Sequence, residues 1–159
     1  MRNSQLVEAL KLNADILNTF IRSIPDQAIM ERRKNFWTIH EHLEHLAEMQ
    51  PILYQRIVNV INEEEPVITP YYPEDNPESG ERRKTVEELL EAFSSWRSKQ
   101  VALIETCDES IWDKTAEHPE YDTYTFEILV RHVLMHDGFH MYRIEELWLV
   151  KDEFIKPLP

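Results

Sequence analysis

Apolar residues recur every three or four positions in four stretches of the chain, the spacing that lines one face of an α-helix. The first stretch runs from about Asn3 to Ile24, with Leu6, Leu10, Asn13, Leu17, Phe20 and Ile24 in register, and Pro25 ends it. The second opens in "WTIHEHLEHL", where Thr38 and Glu41 form a capping box, each side chain satisfying an otherwise orphan backbone donor. This helix continues to about Asn62, where "EEEP" stops it, and Pro51 inside it is expected to remove one backbone hydrogen bond and bend it. The third starts at Thr85, again with a capping box through Glu88, and its face is Leu89, Phe93, Trp96, Gln100, Leu103 and Cys107. After a loop holding "ESIWDK", which has room for one helical turn, the fourth runs from about Thr125 to Leu149. No stretch shows the alternation of a strand.

Between the second and third helices lies "EEEPVITPYYPEDNPESGERRK", residues 63–84, with four prolines and no helical stripe. A connection this long inside a compact domain crosses over or covers something. The expected fold is therefore all-α: one four-helix-bundle domain over residues 1–159, in up-down-down-up order, with the crossover between helices 2 and 3. Helix 2 then runs antiparallel to helix 4. Lid over a pocket and plain connector fit residues 63–84 equally well, Tyr71 and Tyr72 included.

Candidate chemistry concentrates in "VRHVLMHDGFHMYR", residues 130–143. On a helical wheel His132 and His140 fall about 40° either side of His136, on the stripe that holds Leu129, Val133, Arg143, Ile144 and Leu147. Helix 2 adds His45, which shares its face with Thr38, Met49, Ile52, Leu53, Arg56 and Val60. His42 lies near that stripe at about 60°, and His40, about 140° away, is expected to be exposed. Two imidazoles at i and i+4 can reach one ion, with a third ligand from elsewhere. His132 and His140 are about 12 Å apart along the axis, too far to share one. Depth along an antiparallel bundle pairs His45 with His136 and His140, so these three form the candidate metal site and His132 becomes a polar neighbour or outer donor. One histidine on an apolar face is usually a core residue bonded to a carbonyl or carboxylate. Three at one depth would each need such a partner, whereas a single ion satisfies them together.

"HDGFH" imitates the H-E-x-x-H protease signature, but Asp137 is one methylene short and sits about 100° from His136, and no glycine-histidine continuation follows. The protease reading is set aside. Cys107 is expected to be a buried, inert thiol. Val130, Leu134, Met141 and Trp148 form a second apolar stripe about 120–160° from the histidines, which predicts a homodimer through helix 4.

The chain has 159 residues, 42% hydrophobic and 30% charged, with a formal net charge of −13. Such a surface repels phosphate backbones and anionic membranes, which argues against nucleic-acid and membrane partners. Neither an apolar run of about 18 residues nor a signal-peptide pattern is present, and the single cysteine suits a reducing compartment, so a cytoplasmic location is expected.

Three segments carry a resemblance over essentially the whole chain: "FWTIHEHLEHLAEMQPILYQRI", "TVEELLEAFSSWRSKQVALIETCDESIWDK" and "YTFEILVRHVLMHDGFHMYRIEEL". Their order and spacing resemble the DinB-like superfamily of DNA-damage-inducible helical bundles. The resemblance implies an up-down-down-up bundle, often a homodimer, holding a divalent metal, commonly zinc or nickel, on one histidine of helix 2 and two of helix 4. Those positions are His45, His136 and His140. It also implies chemistry on small molecules, since such proteins include transferases using low-molecular-weight thiols such as bacillithiol or mycothiol, and maleylpyruvate isomerases. Two functions stay open. The first is a metal-dependent enzyme, a thiol-dependent S-transferase or a small-molecule hydrolase, with Glu41 and Arg143 as candidate catalytic helpers. The second is a non-catalytic metal- or small-ligand-binding bundle. A closed four-ligand site would favour the second.

Overall fold

The computed structural model describes residues 2–71 and 83–157. Its helices are α1 (Arg2–Ser23), a single turn α2 (Asp26–Ile29), α3 (Ile39–Asn62), α4 (Val86–Glu105) and α5 (Phe126–Leu149), with 3₁₀ turns at Glu109–Asp113 and Asp152–Phe154. The four long helices are those the periodicity predicts, and α2 is an addition it did not reveal. The helix starts follow from local chemistry. Thr38 accepts from the Glu41 amide (3.1 Å) while Glu41 accepts from the Thr38 amide (2.7 Å). Thr85 and Glu88 repeat the arrangement at 3.2 and 2.7 Å, and Thr125 caps α5 through the Ile128 amide. Residues 72–82 of the crossover lie outside the described residues, and with them the question of a lid. Before that point Ile68 and Glu117 exchange ladder-like bonds with their neighbours, Ile68 N–H to Glu117 C=O and Glu117 N–H to Pro66 C=O, both 2.8 Å. They fasten the crossover beside the loop that leads to α5.

Contacts along the helices set the topology. Lys11 pairs with Glu105 and Arg22 with Glu87, so α1 and α4 are antiparallel. His40 reaches the Lys84 carbonyl, which places the starts of α3 and α4 side by side. The histidines join α3 to α5 in antiparallel order, His42 with His140 and His45 with His136. Phe20 packs on Trp148, so α1 and α5 end together. The result is an up-down-down-up four-helix bundle. α1 and α3 each pack against both α4 and α5.

The core divides into two apolar clusters. One gathers Val7, Leu10, Leu53, Ile57, Ile104 and Leu129 with their neighbours. The other gathers Leu17, Ile21, Leu43, Leu89, Phe93 and Ile144. On α1, α4 and α5 the change from one cluster to the other falls at buried polar residues, and on α3 Gln50 lies just past it. Asn13, Gln50, Arg97, Gln100 and Asp137 are all buried, and they are joined into one network. Arg97 donates to Asp137 (2.7 Å), to the Gln50 side chain (3.1 Å) and to Gln100 (2.9 Å). Asn13 donates to the same Asp137 oxygen at 2.9 Å. One guanidinium and one carboxylate thus tie all four long helices at a single level, in a setting where neither is stable without the other.

This layer corrects the simple picture of one buried stripe per helix. Arg97 falls outside the expected α4 face yet is fully buried, while Trp96 and Leu103 on that face are only half-buried. On α5 the supposedly free stripe is used inside the bundle: Val130 is fully buried, and Leu134, Met141 and Trp148 pack against the two clusters. A helix wedged between two others buries both flanks of its inner face, so this stripe is part of the bundle core. His40 is likewise buried, at 2% exposure, because α4 starts directly over the first turn of α3. Cys107, just beyond the end of α4, is half-buried rather than buried.

Truncating one member of the central pair leaves the other charge buried and alone. Asp137→Ala is expected to cost about 3–5 kcal/mol in urea unfolding, whereas the double change Arg97→Met with Asp137→Leu recovers most of that loss. A single variant as stable as wild type would show that the pair is dispensable.

Candidate metal centre

The histidines lie next to the polar layer, with His136 adjacent to Asp137, on the side of the bundle where α3 faces α5. Two turns of antiparallel helix bring His45, His136 and His140 together, and one ring nitrogen from each lies within 4.8 Å of the others. The Nε2 atoms of His45 and His136 are 3.2 Å apart. The ring centroids of the three are separated by 4.6–5.2 Å. Trp37, immediately before the cap of α3, covers the cluster from one side: its ring contacts His42 and His45 and stacks on His140 at 14°. His140 is buried, while His45 and His136 are half-buried, so the cluster is reachable from solvent on their side.

Burial keeps the rings of His45, His140 and His42 neutral. It drives His45 down to about 4, with the neighbouring His136 adding to the effect. It drives His140 down to about 2, helped by His136, His45 and His42. His42 falls to about 4, first through burial and then through the Arg143 cation. At neutral pH these imidazoles therefore keep a lone pair for a Lewis acid. Two nitrogens bound to one tetrahedral ion at 2.0–2.1 Å stand about 3.3 Å apart, which the His45–His136 spacing nearly reproduces. Three nitrogen donors suit zinc, nickel, copper or iron and do not suit calcium or magnesium. The residues present fit a divalent metal.

The remaining candidates go elsewhere. Glu41 closes the capping box and pairs with Arg32 at 2.5 Å. Although burial pushes its carboxyl up, Arg32 and the Thr38 amide outweigh that and hold it below the usual range. Arg143 is buried, donating to Glu146 (2.5 Å) and to the Lys156 carbonyl (2.9 Å). His132 stays outside the cluster, its Nδ1 3.2 Å from the Tyr124 hydroxyl. Asp137 is not oriented as a protease acid: one oxygen is held by Arg97 and Asn13. Its other oxygen and Nδ1 of His136 are both buried without partners, 3.9 Å apart. Gly138, exposed with open space around its Cα, has no part in the site.

Sequence reading undervalued three residues. His42 was visible near the histidine stripe, but its direct contact with His140 was not. Trp37 carried a signal only in its place before Thr38. Arg97 gave none, because an arginine in an amphipathic helix is ordinarily read as solvent-facing.

A four-helix bundle with three converging histidines near its surface describes a known class. Residues 9–144 match the DinB superfamily, and the chain belongs to it. One relative, from Oceanobacillus iheyensis, is named putative metal-dependent hydrolase OB0782; it is 25% identical over 135 residues, covering 85% of this chain and 78% of its own. Among solved structures, YfiT from Bacillus subtilis superposes with a TM-score of 0.74 at 19% identity, covering 91% of this chain and 84% of its own. YfiT is described as a probable metal-dependent hydrolase with an unusual four-helix bundle topology. At that identity the likeness shows the fold.

The buried neutral rings make stability pH-dependent in a definite sense. His42 and His45 titrate near 6.5 when unfolded and near 4 when folded, so between those values the unfolded chain binds more protons. The metal-free protein should therefore lose stability as pH falls from about 6.5 to 4. Its slope should be shallower in His45→Gln. Equal slopes in the two proteins, measured by urea titration across that range, would contradict the assignment.

Proposed function

We propose that this chain is a metal-dependent hydrolase of small molecules, with a divalent cation, zinc or nickel, held by His45, His136 and His140. The observation that carries the reading is the meeting of three imidazoles from two helices at a spot open to solvent. Such an ion keeps its full charge and an open position, polarises a carbonyl or phosphoryl oxygen, and acidifies a water or thiol towards neutrality. The chain's own residues do the rest. His45 and His136, half-buried at the rim, leave a substrate room to approach. Trp37 and the buried side of His140 exclude water from behind. The names given to the Oceanobacillus and Bacillus proteins support hydrolysis over other uses of the same site. With a low-molecular-weight thiol as nucleophile the site would serve S-transfer instead. Cytoplasmic residence, in keeping with the acidic surface and the one cysteine, belongs to the same proposal.

Elemental analysis of purified protein is expected to find about one zinc or nickel per chain in wild type and little in His136→Ala. The loaded wild type should cleave members of an ester, amide and phosphoester panel without added thiol. Full occupancy in His136→Ala would contradict the ligand set. Activity only with thiol would move the assignment to S-transfer, and inertness in both assays would leave a metal-binding bundle.

A further inference from the structure

His42 is not one of the converging donors, yet its Nδ1 lies 2.9 Å from Nδ1 of His140. Both residues are buried, at 1% and 6% exposure. Two ring nitrogens at that distance and depth must share one proton, because two lone pairs or two N–H groups facing each other would repel. Only one arrangement leaves His140 free to ligate. If an ion took Nδ1 of His140, His42 would compete for the same lone pair. If it takes Nε2, Nδ1 carries the proton and donates it to His42. Among the described residues, His140 is the one member of the triad with a hydrogen bond to a group outside it; the corresponding nitrogen of His136 has none. His42 is itself held by the ring of Trp37, 5.2 Å between centroids, and by its place in the second turn of α3.

We propose that His42 is a positioning residue for the metal: it accepts the Nδ1–H of His140, fixes that ring's tautomer and angle, and so presents Nε2 to the ion. This rests on the three-histidine metal reading and adds to it the atom by which His140 binds. A backing hydrogen bond of this kind raises the basicity of a ligand and is typically worth 10- to 100-fold in metal affinity.

Two measurements test it. In zinc-loaded wild type, ¹⁵N-imidazole NMR should show His140 protonated at Nδ1, with that proton slow to exchange. Zinc titration by competition with a chelator should give an affinity about 10- to 100-fold weaker in His42→Phe, which keeps a ring against Trp37 but cannot accept. In His42→Asn, whose side-chain oxygen can accept near the same place, the loss should be only about threefold. Circular dichroism of the metal-free variants checks that they fold. Protonation of His140 at Nε2 in the zinc form would overturn the proposal without any variant. Equal zinc affinity in wild type and His42→Phe would overturn it while leaving the metal reading intact. Failure of wild type to bind zinc at all would remove both.

Discussion

The Arg97–Asp137 pair is the constraint on which the rest of the bundle depends. With side chains 2% and 0% exposed, it sits where an unmatched charge would cost several kcal/mol. Asn13, Gln50 and Gln100 turn it into a layer that all four long helices must meet in one register. A bundle held only by two apolar clusters could slide by a turn and repack. This layer allows one alignment. The same alignment carries His45 on α3 to the level of His136 and His140 on α5, so core register and site geometry are one problem. Asp137 joins them directly: it is bonded to Arg97 and adjacent in sequence to His136.

The histidines pose the opposite electrostatic problem. His45 and His140 have no carboxylate bonded to them, and burial pushes both rings well below the ordinary imidazole range. Without an ion, the ring nitrogens of His45 and His136, 3.2 Å apart, share one proton between them. A cation between them would replace that proton and draw on both lone pairs at once. Trp37 over the cluster and His42 behind it add stiffness without adding charge. On the proposed reading, such a site would leave a bound ion its full charge, and the half-buried His45 and His136 would leave one side open to a small substrate.

Helical periodicity and two capping boxes were enough to place the four long helices and, with the long crossover, their order. Counting depth along an antiparallel pair was enough to bring His45 opposite His136 and His140. What the wheel missed has a common cause: it assigns one buried face to each helix. His40 is buried because α4 begins above it, Val130 because α5 is wedged between α1 and α3, and Arg97 because its charge is cancelled from another helix. None of these neighbours is visible from the helix that carries the residue. Polarity also misled at Arg97 and Asp137, where pairing outweighs the usual preference of charged side chains for water. The short α2 turn after Pro25 had no periodic signal to reveal it.

The central claim is that three imidazoles, and no other protein group, hold one ion with a position left open. X-ray absorption at the metal edge of the stoichiometric zinc complex tests this most directly. The account predicts a first shell of about three imidazole nitrogens at about 2.0–2.1 Å, completed by at least one exchangeable oxygen. A sulfur shell near about 2.3 Å, or four protein nitrogens with no oxygen, would contradict it.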